Sequence, residues 1–451
     1  MTAAGAVRRG VRRGLTAVAL GMSAVLLAAC SAGSGGGPTV AAIGSHSDGR
    51  LQDATAKELK AVLDNAVKLS GATGGVAGVW APWAGTWTSA SGVTSTAKGA
   101  PDVDVDASFR IGSLTKPLTC TVLLNLVAEH KVKLDDDVTK YLPRMVGLNG
   151  LQLGDLCHNT SGFADYWGPL TPQMVTNPTR PWDTLELVNS AMGMPRAGAP
   201  GQTWSYSNAG FVLLGMALQA ATHKNWSQLY AQYVTDPLGI SDSTTYPTSG
   251  KLPGPTLSAY SADRDVVTSK IDCKVLVDES ELSPSGTQQA GGIVSNLRDT
   301  ASLAHAVAAG SLLPSATYAA EQQKATPMLP GMPSWALYGL GVEKMGPLIG
   351  HASAVPGTMT AAYSDPASGL TVVIMVNNST PGANFVRLAA LQLASIASKA
   401  APASGKKAPN LSLPWTAAQL GEVMKHQAGC NSVPGALDAS LEPIRLIRPS
   451  Y

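Results

Sequence analysis

The chain has 451 residues, 45% of them hydrophobic and 14% charged, which excludes a disordered polymer and leaves apolar surface for a large core. Its formal net charge of +2 is owed to the extreme N-terminus, where Arg8, Arg9, Arg12 and Arg13 all precede the first acidic residue, Asp48. Without residues 1–29 the balance is 28 basic against 30 acidic side chains, so no basic surface for nucleic acid is implied.

The four arginines lead into the apolar run LTAVALGMSAVLLAAC, the pattern of a targeting segment rather than of a fold. The run is too short and too alanine-rich for a transmembrane helix. It ends in Leu27-Ala28-Ala29-Cys30, which resembles the lipobox of bacterial lipoproteins. That resemblance implies a signal peptide over residues 1–29, cleavage before Cys30 and a diacylglycerol on its sulfur. The protein would then be held on the extracytoplasmic face of the cell membrane by its acyl chains, with the Gly/Ser/Pro-rich stretch 30–50 as a flexible linker. Export would put Cys120, Cys157, Cys273 and Cys430 in an oxidising compartment, and four cysteines allow three pairings. Neither C-x-x-C nor H-E-x-x-H occurs, and neither a metal nor another cofactor is expected.

Beyond the linker a polar helix is predicted over about 51–69. GGVAGVWAP and GTWTSASGV then read as a hairpin around a short turn. A helix from about Ser113 to Glu129 carries apolar positions at helical spacing. A mixed, loop-rich region spans 131–200, and AGFVLLGMALQAAT (209–222) reads as a buried helix. Another helix starts near Asn296. MTAAYSDPASGLTVVIMVNN alternates around Asp365-Pro366 and Gly369, the pattern of an antiparallel hairpin. NFVRLAALQLASIASK (384–399) is an amphipathic helix, followed by a linker and tail over 400–451. Strands at both ends with helices between them predict an α+β fold: an antiparallel sheet built from both chain ends, flanked by helices, with an all-helical insert.

The chemistry begins at FRIGSLTKPL. Serine is a poor nucleophile until something takes its proton. Lys116, one turn after Ser113, can do so only if its pKa falls well below the ordinary value of roughly 10.4. Pro117 is tolerated only in a first helical turn, so the helix opens at about Ser113. The backbone N–H of Ser113 can there face a developing oxyanion. S-x-x-K also occurs at Ser95/Lys98 and Ser404/Lys407, but neither opens an apolar helix. A surface lysine after a serine N-cap is the bland alternative. Tyr206-Ser207-Asn208 is the only Y-x-N in the chain and precedes a buried helix. A tyrosine there could serve as the base, and an asparagine could bind a substrate amide and hold the lysine.

Together these pieces resemble the serine penicillin-recognising hydrolases: class C β-lactamases, D-alanyl-D-alanine carboxypeptidases of the same type, and their esterase relatives. The resemblance covers about residues 53–398. FRIGSLTKPLTCTVLLNLVAEHKVKLDDDVTKYLP is similar to the nucleophile block and LCHNTSGFADY to the L-x-H-x-S-G segment, whose His158 holds its loop. PGQTWSYSNAGFVLLG is similar to the Y-x-N block, and AGGIVSNLRDTASLA to a G-G-x-x-S helix. The resemblance implies Ser113 as the acylated nucleophile, Lys116 as the group assisting its deprotonation, and Tyr206 as general base and later acid. It implies Asn208 as a contact to the substrate amide. Some class A relatives carry a cystine from the position of Cys120, which implies Cys120–Cys157 and leaves Cys273–Cys430 to pin the tail.

The third element departs from the family. Where K-T-G, H-T-G or H-S-G is usual, this chain has His351-Ala352-Ser353. The imidazole of His351 can hydrogen bond to the tyrosine and steer a carboxylate. Ala352 has no hydroxyl to hold one, and Ser353 replaces a glycine whose bareness lets substrate approach. The implied oxyanion donors are the backbone N–H groups of Ser113 and Ala354. The reading is a serine hydrolase domain (51–399) forming an acyl-enzyme on a D-alanyl peptide, a small carboxylic ester or, less favoured, a β-lactam. Its partners are a peptidoglycan stem peptide or a small ester or amide, and the membrane through Cys30, with no nucleic acid. The altered His-Ala-Ser and the extra tail support an alternative, a non-catalytic cell-envelope binding protein that retains the fold.

Overall fold

In chain order the strands are β1 (Gly74–Ala81), β2 (Gly85–Gly92), β3 (Phe109–Arg110), β4 (Tyr260–Arg264), β5 (Ile271–Asp278), β6 (Val294–Ser295), β7 (Thr326–Pro327), β8 (Ala336–Tyr338), β9 (Glu343–Met345), β10 (Leu348–Val355), β11 (Thr358–Ser364) and β12 (Thr371–Val376). The computed structural model describes residues 49–434 except 266, 267, 269, 320–323, 329 and 330, together with Leu441 and Ile444. The targeting segment, Cys30 and most of the linker lie outside the described residues.

One antiparallel sheet runs β2-β1-β12-β11-β10-β9-β8-β7. The N-terminal hairpin lies beside the last strand, with Val76 opposite Met375 and Val79 opposite Val372. The sheet is therefore built from both chain ends, as the order of elements predicts. Every residue of β1, β11 and β12 is buried, because both faces of the sheet are covered. Strand alternation sends Val372, Ile374 and Val376 to the layer that holds the helices Asp53–Ser70 and Ala383–Ala397. Val373 and Met375 point the other way, into the core of the helical insert. The Ala383–Ala397 helix buries Phe385, Leu388, Leu391 and Leu393 on the sheet. Each such side chain contributes roughly 1.5–3 kcal/mol of transfer free energy.

Several elements go beyond the sequence reading, among them a hairpin and a tail helix that shape the site's surroundings. The β4–β5 hairpin was not read although IDCKVLVD alternates at Ile271, Cys273, Val275 and Val277; most of β5 is exposed, so the alternation marks no core face. A helix, Ala417–His426, lies in the tail and is capped reciprocally by Thr416 and Gln419. Its Leu420, Val423 and Met424 bury in the same layer as the Ala383–Ala397 helix. The two cystines are Cys120–Cys157 and Cys273–Cys430, the pairing the resemblance implies. The second joins β5 to the tail.

A fully buried ion pair ties the sheet to its covering helix. Arg387 donates to Glu343 through Nε at 2.9 Å and Nη2 at 2.7 Å, and the Tyr363 hydroxyl donates to the same carboxylate. Burial alone would raise the Glu343 carboxyl, but Arg387 and His351 outweigh it and hold it at about 2. Removing one partner strands a charge in the core, whereas removing both does not. Arg387→Met is expected to destabilise the fold by about 3–5 kcal/mol. Glu343→Leu combined with Arg387→Met should recover much of that loss in urea unfolding; equal or greater loss in the double variant would contradict the account.

Candidate active site

A short 3-10 turn, Gly112–Leu114, feeds the helix Thr115–Ala128. Pro117 is the third helical residue, where its missing N–H has no intrahelical partner to lose. Ser113 thus lies at the helix mouth and Lys116 one turn along. Lys116 is fully buried. Its Nζ donates to Ser113 Oγ at 3.0 Å, to Asn208 Oδ1 at 2.7 Å and to the Ala290 carbonyl at 2.8 Å. An ammonium has three donors, and each has an acceptor here. The Tyr206 hydroxyl donates to Ser113 Oγ at 2.8 Å. Lys116 Nζ lies 4.7 Å from the Tyr206 ring centroid.

The approach of Tyr206 is set by the LCHNTSGFADY segment. Asn159 adopts a left-handed conformation and accepts from Ser205 N at its carbonyl (2.7 Å) and from Ser207 N at Oδ1 (3.1 Å). Ser207 Oγ donates to the Ala164 carbonyl at 3.0 Å. Tyr206 is therefore gripped on both sides. Cys120–Cys157 links this segment to the nucleophile helix.

Asp165 is a site residue that the sequence reading missed. It accepts from Asn208 Nδ2 at 2.9 Å and from the backbone of Asn208 and Trp167 at 3.2 Å each. The signal was a lone carboxylate among aromatic residues, in FADYW. Its bond orients Asn208 so that Oδ1, not Nδ2, faces the lysine. Asn208 lines the pocket beside Ser113, with both ends of its amide engaged by the protein. Burial lowers Lys116 to about 7, opposed by the charges of Asp165 and Glu343. Burial raises Asp165 to about 6, opposed by the Trp167 N–H, Lys116 and Asn208. Near neutrality Lys116 therefore populates its free-base form, and the Ser113 hydroxyl has an amine and a phenol within proton-passing distance.

β10 edges the site as expected. β9 pairs with it through Leu348, Ile349 and Gly350, and from His351 onward that edge has no strand neighbour among the described residues. Two expectations are corrected here. His351 makes no hydrogen bond to Tyr206: its Nδ1 is 2.6 Å from the Ala352 carbonyl and 3.7 Å from Glu343 Oε1, and its Nε2 has no partner. The ring is buried and packs against Tyr206 and Tyr338. Burial, with Lys116 opposing the stabilising charge of Glu343, lowers it to about 4, so it is neutral at pH 7. Nor is the Ser113 N–H free to face an oxyanion: it donates to Ser353 Oγ at 2.7 Å. Gly112, with φ of 52°, permits that approach, since a Cβ there would lie 2.1 Å from Ser353 Oγ. Ala352 is buried in the layer beneath, and Ala354 lines the pocket with Ser113.

Fold and site together have the constitution of a hydrolase with an active-site serine. The chain belongs to the Beta-lactamase family, which it matches over residues 59–396. It is similar to the D-alanyl-D-alanine-carboxypeptidase/endopeptidase AmpH of Escherichia coli, with 34% identity over 152 residues, covering 32% of this chain and 38% of AmpH. Esterase EstB of Burkholderia gladioli is 30% identical over 201 residues, covering 42% of this chain and 50% of EstB. The chain thus spans half or less of these relatives' length. A crystal structure of a D-stereospecific amidohydrolase from Streptomyces sp. superposes with a TM-score of 0.62 at 29% identity, over 71% of this chain and 94% of that one.

Asp165→Asn puts an amino group where Asn208 Nδ2 now donates. Asn208 must turn over and present its own N–H to Lys116, and the carboxylate that favoured the ammonium is gone. Both changes lower the Lys116 pKa. The acid limb of any pH–rate profile is expected near 7 and should move to lower pH in this variant, with a reduced maximum. An unmoved limb in stopped-flow acylation would show that Asp165 does not act through the lysine.

Proposed function

We propose that the protein hydrolyses an ester or amide through an acyl-enzyme on Ser113, with D-alanyl peptides as its preferred substrates. The observation that carries this is the meeting of three groups: Ser113 Oγ lies 3.0 Å from Lys116 Nζ and 2.8 Å from the Tyr206 hydroxyl. A carboxypeptidase/endopeptidase, an esterase and a D-stereospecific amidohydrolase among the similar proteins support this substrate class. Ser113 Oγ attacks the substrate carbonyl and its proton passes to the Lys116–Tyr206 unit. The C–N or C–O bond breaks as Tyr206 protonates the leaving group. Water then enters, gives a proton to the same unit and cleaves the acyl ester, and Ser113 regains its proton.

The protein works outside the cytoplasm, held on the membrane through a diacylglyceryl Cys30 after loss of residues 1–29, within reach of peptidoglycan stem peptides. The support is Leu27-Ala28-Ala29-Cys30 and the two cystines. One observation favours the alternative, a binding protein without turnover: the Ser353 hydroxyl occupies the oxyanion donor of Ser113. In the hydrolase reading that hydroxyl turns away when substrate enters, which slows acylation by rigid β-lactams most.

A fluorophosphonate should label the protein at Ser113, and a nitrophenyl ester should be turned over. Ser113→Ala should abolish the label and reduce turnover by a factor on the order of 10⁴ or more. A folded protein inert to every probe would instead support the binder. Ser353→Gly frees the Ser113 N–H and should raise β-lactam acylation by about 10²-fold. Unchanged or slower acylation would show that the hydroxyl is no obstacle.

A further inference from the structure

The space at the nucleophile is small. The pocket lined by Ser113, Tyr206, Asn208 and Ala354 holds about 20 Å³, room for little more than a water. The rest of an acyl group must therefore lie elsewhere. A second cavity, of about 830 Å³, shares Trp167, Ala354 and Val355 with the first. Its volume is near the top of the range for small-molecule sites, roughly 300–1,000 Å³.

The direction of this cavity follows from β10. Tyr206 and His351 pack together at one end of the strand's open edge, their ring centroids 6.4 Å apart. A leaving group protonated by Tyr206 departs at that end. The large cavity begins at the other end, at Ala354, Val355 and Pro356, and neither Tyr206 nor His351 lines it. It therefore extends on the acyl side of the bond to be cut.

Its far wall comes from outside the family domain, which ends at residue 396. His426, Gln427, Gly429 and Ser432 of the tail line it, beside the β4–β5 hairpin. The wall is tied down by Cys273–Cys430, by Asn384 Nδ2 donating to Gln427 Oε1 at 2.5 Å, and by Asn431 Nδ2 donating to the Leu69 carbonyl at 3.0 Å. The cavity is not an apolar slot: Ser261, Asp263 and Arg264 also line it. Beside Ser261 lies Glu279, which accepts from Ser261 Oγ at 2.6 Å and whose other oxygen has no partner.

We infer that this tail-walled cleft binds the peptide chain preceding the scissile bond, so that the enzyme takes a peptidyl donor of several residues rather than the amide or ester of a single free D-amino acid. The inference rests on the acyl-enzyme reading above and narrows it. The cleft sets polar groups among apolar ones and its wall is covalently braced, which suits an extended peptide with free amide groups and alternating side chains.

The test uses the full chain and a series of peptides ending in D-alanyl-D-alanine, with zero to three residues before the D-alanyl pair. Catalytic efficiency, kcat/KM, should rise at least about 10-fold from the shortest to the longest. Ser432→Trp, which fills the cleft, should bring the long-to-short ratio back toward one; a ratio is insensitive to partial loss of folded protein. The same series titrated against Ser113→Ala by calorimetry should show affinity rising with length. A flat series, or an unchanged ratio in Ser432→Trp, would overturn the cleft while fluorophosphonate labelling of Ser113 still upheld the hydrolase. Absence of labelling together with length-dependent binding would uphold the cleft and reject the hydrolase.

Discussion

Burying one ammonium organises this site. A lysine side chain taken fully out of water is costly unless its donors are satisfied, and the cost appears as a lowered pKa. The fold meets it with acceptors from three distant segments: the helix mouth at Ser113, the Y-x-N block at Asn208, and the carbonyl of Ala290. Those acceptors keep the charged form accessible while burial keeps the neutral form populated. A serine beside such a group can lose its proton at neutral pH. Tyr206, drawn to the same oxygen, makes the trio a proton-sharing unit.

The layer behind the site carries a second buried charge pair with a different task. Glu343 and Arg387 join β9 to the Ala383–Ala397 helix, and His351 lies against the same carboxylate. The negative charge of Glu343 reaches Lys116, so a structural ion pair also contributes to the lysine's protonation balance. Catalytic and packing electrostatics are not separable across this sheet. A change at Arg387, distant in sequence from the nucleophile, bears on both.

Ser353, at the Ser113 N–H, and the tail, beyond the family match, shape the surroundings of the site. The hydroxyl at 353 occupies a backbone donor that a glycine would leave open. The tail adds a wall to a cavity that the family domain alone would leave wider. Both act on what may enter rather than on the proton chemistry, which is intact. A site can keep its reaction while changing its guests, because selectivity is set by differences in fit around an unchanged nucleophile.

The sequence alone determined the local features: the first hairpin, the helix carrying Ser113 and Lys116, the terminal hairpin and helix, and the two blocks that bring Tyr206 and Asn208. These are legible because periodicity, Pro117 and short motifs act over a few residues. The resemblance supplied the meeting of the blocks and the cystine pairing. Only the tertiary structure decided that Asp165 turns Asn208, that His351 packs on Tyr206 but turns Nδ1 to the Ala352 carbonyl and Glu343, that Ser353 takes the Ser113 N–H, and that the tail walls the cleft. Asp165–Asn208 and Ser113–Ser353 are contacts between residues 43 and 240 positions apart, and His351 meets Glu343 across two paired strands. Their geometry depends on side-chain direction and strand register, which no local pattern encodes.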